Sequence, residues 1–422
     1  MRVKQIKNIE PINYTDKIRK MEGIFICFVN PYRPHANGGS EEIKRRIEAS
    51  SAFFKKIWVF AIDHSSELRI NGDLPHNVEL YLYARHLDPR PHRWILPIAC
   101  VRRYNKRMIK DILNLLSSID GKIFLMLEGM QLFNLWLDIK KHINSRVCVA
   151  LRVINIESIY HASVASVERG IIALVHKISS LQYSHYEQKL LKQFNLIFAI
   201  SSTEYNIINQ KYPKLRSRTS LVYPIPAKFD NCNFKFPNSI DSNCIIGYFG
   251  DLSLANNNSG LHWFCQHVLP ALQLTSNVLL RIAGKGSQSF SVYDYVEVCG
   301  FVDNINNFIS NLHIVIAPIF SGAGMKIKVI DIAASGKPLI TTFVGADGLP
   351  PNIFGLMNIA NDANDFQRLL AIIIHSYAEF VSRSEKLQLA VVNEMGSNAY
   401  ISQLNRALSG ENSDIENYNV DI

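Results

Sequence analysis

SGAGMKIKVIDIAASGKPLITT, residues 321–342, is the stretch on which the fold turns. The apolar run HIVIAPIF (313–320) leads into Gly322, Ala323 and Gly324. A helix is expected from about residue 324, and PLITT (338–342) follows as a second apolar run. Strand, glycine turn, helix, strand is the repeating unit of a parallel sheet covered by helices. The turn leaves free N–H groups and the positive end of a helix dipole facing whatever lies above the sheet, so Gly322, Gly324 and Met325 read as an anion site. Lys326 and Lys328 are placed to add point charges to a diphosphate. Asp331, about one turn beyond Lys328 on a neighbouring face, would supply a carboxylate acceptor for ribose hydroxyls.

The same alternation extends in both directions. Upstream of residue 224, near-continuous apolar runs at 23–29, 57–62, 78–83, 122–127, 147–153 and 195–200 alternate with helical stretches near 38–55, 103–118, 130–142 and 157–193. Continuous apolar runs are what parallel strands need, because both faces are covered. A Pro- and Asn-rich piece, PIPAKFDNCNFKFPNS, then interrupts the pattern, and runs at 244–250, 278–284, 295–301, 313–320 and 338–342 restart it. A chain of 422 residues exceeds what one core usually holds. The expected fold is α/β, two Rossmann-like doubly wound domains facing a cleft. Residues 1–224 form the first, 225–395 the second, and 396–422 a helix crossing back to the first, with a polar tail, GENSDIENYNVDI.

With 48% hydrophobic and 19% charged residues the chain can bury enough apolar surface to offset its entropy, which excludes disorder for most of its length. The seven cysteines include no C-x-x-C pair and read as small buried hydrophobes of a reducing compartment. The first twenty residues lack an apolar signal core, and no run approaches a membrane span, so the expected location is cytoplasmic. The net charge of +9 is concentrated in Arg85, Arg90, Arg93, Arg102, Arg103, Lys106 and Arg107, interleaved with Trp94, Ile95 and Leu96. That segment suits either an anionic membrane face, with the protein peripheral at its inner side, or a solvated helix face. No nucleic-acid signature accompanies it.

Five ordered blocks carry a family resemblance: GYFGDLSLANNNSGLHWF (247–264), IAGKGS (282–287), GFVDN (300–304), APIFSGAGMKIKVIDIAASGKPLITT (317–342) and GADGL (345–349). They resemble the nucleotide-binding half of glycosyltransferase family 4, of the GT-B kind. NPYRPHANGGSEEIKRR looks like that family's glycine-rich loop after the first strand, and LRVINIESIY (151–160) is similar to an R-x-H-N-I-E element of a bacterial branch serving polysaccharide or lipopolysaccharide synthesis. The resemblance implies transfer of a sugar, with retention, from a nucleoside-diphosphate sugar to a glycan or lipid-linked acceptor, without a cofactor or a metal. It implies that Gly38, Gly39 and Gly250 let backbone approach the donor, that Lys285 and Lys326 neutralise its diphosphate, and that main chain at Phe301 and Val302 reads the base. Asp331 takes the place of the family's ribose-binding glutamate.

Two departures stand out. Ile154 stands where the bacterial branch usually has histidine, and Ala323 and Asp331 stand where many family members have a glutamate pair eight residues apart, so the first carboxylate is missing. A second reading is therefore a weakened transferase acting as a scaffold in polysaccharide assembly, and a third is a GT-B nucleotide-sugar epimerase. Glu128, with Gly129 at a strand end, and Arg152, Asn155 and Glu157 at another, are candidates for the acceptor side of the cleft. His35, His64, His161 and His185 lack the spacing of a metal centre.

Overall fold

The computed structural model describes residues 21–33, 38–63, 70, 72–229, 239–240, 243–274, 276–302 and 304–410. His35, His64, Cys232, most of the Pro/Asn-rich piece and the polar tail beyond Gly410 lie outside these residues.

Strands β1 (Glu22–Cys27), β2 (Lys56–Asp63), β3 (Val78–Ala84), β4 (Ile123–Glu128), β5 (Val147–Val153), β6 (Leu196–Ala199) and β7 (Thr219–Leu221) form a parallel sheet in the order β3-β2-β1-β4-β5-β6-β7. Around it lie α1 (Gly38–Ser51), α2 (Ile98–Val101), α3 (Lys106–Ser118), α4 (Phe133–Ile139), α5 (Glu157–Val167), α6 (Gly170–Leu191) and α7 (Ser202–Lys211). A second parallel sheet, β10-β9-β8-β11-β12-β13, uses β8 (Cys244–Phe249), β9 (Val278–Ala283), β10 (Val296–Gly300), β11 (Ile314–Ala317), β12 (Leu339–Thr341) and β13 (Asn358–Ile359). Its helices are α8 (Ala255–His267), α9 (Leu269–Gln273), α10 (Ile305–Ser310), α11 (Ile327–Ala334), α12 (Pro351–Phe354), α13 (Ala363–His375), α14 (Tyr377–Met395) and α15 (Ser397–Ser409).

Both sheets reverse their strand order once, between β1 and β4 and between β8 and β11, and at such a reversal the two flanking connections diverge to opposite faces and leave a crevice. The central strands are buried on both faces; every residue of IFLMLE in β4 is buried, which is why the run carries no polar alternation. Phe25, Phe54 and Phe124 pack edge-on and stacked on one face. α15 returns to this first domain, where Tyr400, Leu404 and Ala407 join its core.

The helices are more divided than their sequence suggests. The stretch 157–193 breaks at Glu168–Arg169, where Gly170 takes φ +62° and turns the chain into an antiparallel α5–α6 pair. Residues 362–408 form three helices. α11 starts at Ile327, not near 324, because Gly322 and Gly324 have positive φ and Lys326 is still extended at φ −92°, ψ 93°.

Candidate active site

The second domain ends its three adjacent strands on glycines: Gly250 after β8, Gly284 after β9 and Gly300 on β10. A Cβ on Gly284, which holds φ +128°, would lie 2.0 Å from the carbonyl oxygen of Gly250, so this edge closes only without side chains. The result is a floor of bare backbone. Lys328 lies against it: its Nζ donates to Tyr248 Oη at 2.9 Å, stands 4.1 Å from the centre of that ring, and would lie 3.4 Å from a Cβ on Gly250. Burial lowers the Lys328 ammonium to about 7. The side chain of Lys326 instead folds back onto its own turn, donating to the carbonyls of Gly322 (2.9 Å) and Gly324, and burial lowers its pKa against the opposing pull of Asp347 and Glu204. Lys326 thus braces the glycine turn, and Lys328 is the cation beside the floor. Lys285 and Phe301 are exposed at the rim, and Val302 is half-buried there.

Facing this edge is the start of α1. Gly38, the first residue of α1, lies where a Cβ would touch Ile327, the first residue of α11, at 3.7 Å, and Gly39 follows it. Two helix N-termini from different domains therefore converge, and their free N–H groups and dipoles favour one anion between them.

Asp331 does not point into that space. Its carboxylate is held by Arg45 of α1 in a two-pronged pair (2.7 and 3.0 Å) and also accepts from the Ala227 amide at 2.7 Å, while Arg45 donates to the Ile225 carbonyl at 2.9 Å. Both oxygens are engaged, so the expected ribose acceptor is here a strut joining α1, the interdomain connection and α11.

Glu128 and Arg152 also depart from expectation. Neither lines a cleft: Glu128 is fully buried and Arg152 is 1% exposed. Arg46 of α1 donates to both oxygens of Glu128 at 2.7 Å each and to Glu42 at 2.7 Å, and Arg152 reaches Glu42 at 3.1 Å and the Val222 carbonyl at 3.1 Å. Burial alone would raise the Glu42 carboxyl, but the Arg46 and Arg152 charges outweigh it and hold the pKa low. Two carboxylates and two guanidinia so fill the crevice between β1 and β4 with a neutral, bonded cluster.

Asn155 does reach the second domain, with Oδ1 where a Cβ on Gly324 would be. Glu157, at the base of α5, is buried; it accepts from Gln131 Nε2 at 2.6 Å, and burial pushes its carboxyl up to about 8. His161 pairs with His176, Nδ1 to Nδ1 at 2.8 Å, and His185 with Lys189. The start of α7 closes the interface on the other side: Thr203 Oγ1 donates to Asp347 at 2.8 Å and the Ser202 amide to the Gly348 carbonyl at 3.3 Å, beside Glu204, whose carboxyl burial raises to about 7. Nothing in the local sequence of α1 or α7 marks Arg45 or Thr203, whose carboxylate partners lie 286 and 144 positions away, whereas Glu204 pairs with the N-cap Ser201 three residues before it, a spacing the sequence shows. Among the described residues no cluster of three or more His, Cys, Asp or Glu could hold a metal ion, and no helix is long and apolar enough to cross a membrane.

Comparison with known proteins places this geometry. Residues 243–376 match the family described as Glycosyl transferases group 1. The fold is that of solved GT-B glycosyltransferases. One from Rickettsia africae is 13% identical, with TM-score 0.62 over 93% of this chain and 99% of that one. WaaG, a glycosyltransferase involved in lipopolysaccharide biosynthesis, gives 12%, 0.59, 91% and 98%. HepE of Anabaena, solved in complex with UDP and glucose, gives 12%, 0.58, 92% and 99%. An uncharacterized 44.6 kDa protein in the cps region of Klebsiella pneumoniae is 24% identical over 251 residues, which are 56% of this chain and about three fifths (61%) of that protein's length.

Proposed function

We propose that this chain, whose second domain is a group 1 glycosyltransferase domain in a GT-B fold, moves a sugar from a nucleoside-diphosphate sugar to a glycan or lipid-linked acceptor in cell-surface polysaccharide synthesis, with retention of configuration. The observation that carries this reading is the convergence of α1 and α11: Gly38 meets Ile327 above a floor of three glycine strand ends, with Lys328 beneath. As the bond from the anomeric carbon to the diphosphate breaks, negative charge grows on the diphosphate, and the acceptor oxygen bonds that carbon while its hydroxyl proton passes to the departing diphosphate oxygen. Two helix N-termini and Lys328 are fixed in place to meet that charge without reorganising. The base would stack near Phe301 and Val302, and Lys285 at the rim would guide the donor in. Asn155, which touches the glycine turn from the first domain, is the first-domain side chain we assign to the acceptor side. HepE was solved with UDP, which makes UDP the first nucleotide to try.

The test is a thermal-shift panel of UDP, GDP, ADP and CMP and their sugar conjugates on the wild type and Lys328→Met. A ligand at a hundred times its dissociation constant adds about 2.7 kcal/mol of stability. One nucleoside diphosphate should raise the melting temperature of the wild type and much less that of the variant; silence across the panel would sink the reading. Ala323 and the engaged Asp331 favour a second reading, a weakened transferase retained as a scaffold. A protein that binds the nucleotide sugar yet neither transfers nor hydrolyses it with any lipid or glycan acceptor would establish that alternative.

A further inference from the structure

The two halves of α6 differ: the second buries Tyr183, Leu190 and Leu191 in the core of the first domain, and the first turns aliphatic side chains to solvent. The polar side of the helix faces α5: the Ser158 amide and hydroxyl both donate to Glu187 at 2.8 Å, Ser180 Oγ donates to the Ser158 carbonyl at 2.7 Å, and His176 meets His161. These partners fix the rotation of the helix. The opposite side, at spacings i, i+3, i+4, i+7 and i+10, carries Ile171, Leu174, Val175, Ile178 and Leu181, and all five are exposed, Ile171 by 78% and Leu181 by 68%. The ties at Ser158, Ser180 and Glu187 hold the start of α5 and the stretch of α6 from Ser180 to Glu187 together just after β5, and the aliphatic stripe lies on the part of α6 nearer the turn at Gly170. The stripe does not end with the helix. Gln182 Nε2 donates to the carbonyls of Ile95 (3.0 Å) and Leu96 (3.4 Å), which joins it to a turn that exposes Trp94, Ile95 and Ile98.

The charges around this surface are one-sided. Residues 85–107 hold seven Lys and Arg against one acid, and residues 159–192 hold four against two. Of those three acids Asp88 and Glu187 are buried in ion pairs, leaving Glu168. Arg90 and Arg93 are tied to Asp88 and Asp138, while Arg85, Arg102, Lys106, Arg169, Lys177 and Lys189 are exposed.

We infer that the α5–α6 pair and the 94–98 turn form a monotopic membrane-binding element: the aliphatic stripe and Trp94 enter the acyl boundary of an anionic bilayer and the surrounding cations meet its phosphates. Aliphatic anchors, an interfacial tryptophan and a cationic rim are the combination that holds a protein in the headgroup plane. A second copy of the chain is the poorer occupant, because it would bring the same cations face to face. The inference is independent of what the cleft transfers.

The experiment uses the full chain and sedimentation with phosphatidylcholine vesicles with or without phosphatidylglycerol, in the absence of nucleotide. The wild type should pellet with the anionic vesicles and be released by salt. Leu174→Glu with Ile178→Glu should lower partitioning by about tenfold or more, and Arg169→Ala with Lys177→Ala should reduce chiefly the preference for phosphatidylglycerol. Both pairs change exposed side chains, so the melting temperature and any nucleotide response should match the wild type, which separates this result from a failure of the cleft. No pelleting at low salt, or unchanged partitioning of the Glu pair, would overturn the proposal. So would a wild-type dimer in sedimentation velocity that the Glu pair dissolves while neither protein binds vesicles, which would assign the surface to a second copy.

Discussion

The two strand-order reversals share one topology and treat charge in opposite ways. Between β1 and β4 the crevice is filled from within: Glu42, Arg46, Glu128 and Arg152 are buried and bonded to one another. Beside the reversal at β8 and β11 the ends of β8, β9 and β10 are stripped to glycine backbone, and Lys328, the buried cation next to Gly250, is bonded among the described residues only to a phenol and, at 3.4 Å, an amide. A buried cation without a carboxylate is stable only if it gives up its proton or receives an anion. The same crevice thus holds a bonded charge cluster in one domain and a buried lysine beside bare backbone in the other, the contrast on which the proposed donor site rests.

The largest effect is expected from breaking the charge cluster. Glu128→Ala would leave the fully buried Arg46 guanidinium with half its partners and should cost about 3–5 kcal/mol in denaturant unfolding of the first domain. A loss below about 1 kcal/mol would mean that water reaches this cluster and that the contrast between the crevices is overdrawn. Next comes the bare backbone. Gly284→Ala places a methyl on the Gly250 carbonyl and a side chain at φ +128°, for about 1–3 kcal/mol of backbone strain, and it should abolish the nucleotide-dependent thermal shift while leaving the first domain intact.

The third expectation concerns pH. The Lys328 pKa falls from 10.5 when unfolded to about 7 when folded, so its cost to stability is absent above 10.5, grows as pH drops, and is complete below about 7. A bound diphosphate would restore the proton. Nucleoside-diphosphate affinity should therefore rise as pH falls from 9 toward 7, by up to about tenfold per unit, and level off below. Lys328→Met should remove that slope and lower affinity about tenfold at pH 6.5. A flat wild-type profile measured by calorimetry would place the diphosphate away from Lys328.

Much of this fold is legible because parallel strands buried on two faces cannot hide: IFLMLE, VCVALRV and HIVIAPIF read as strands from apolar continuity alone. The glycine turn at 322–324 is equally legible, since positive φ demands glycine at Gly322 and Gly324. Partners are a different matter. A strand-end carboxylate such as Glu128 looks the same in sequence whether it faces a ligand or an arginine 82 positions away. Asp331 keeps a carboxylate at the position expected of a ribose acceptor, one methylene shorter than the glutamate, and nothing in the sequence shows that Arg45, 286 positions earlier, holds it. Strands of two or three residues, β7 and β13, are too short to show a pattern, and the outward apolar face of α6 is set by the buried polar ties of its opposite side.

The smallest expected effect decides what Asp331 does. As a strut, its bond to Arg45 is mostly buried yet still reached by solvent, so removing it should cost about 1 kcal/mol. Arg45→Met and Asp331→Ala should each weaken nucleotide binding by a similar, few-fold factor through looser contact between α1 and α11, and the double variant should fall well short of the product of the two, because both break the Arg45–Asp331 bond and differ only in the Ile225 and Ala227 contacts. A ribose-binding carboxylate makes the opposite pattern. Arg45→Met would then free the acceptor and tighten binding, while Asp331→Ala would weaken it whether or not Arg45 is present. The sign of the Arg45→Met effect therefore tells whether the shorter carboxylate at this position has left the donor and joined the frame that holds the two helix N-termini together.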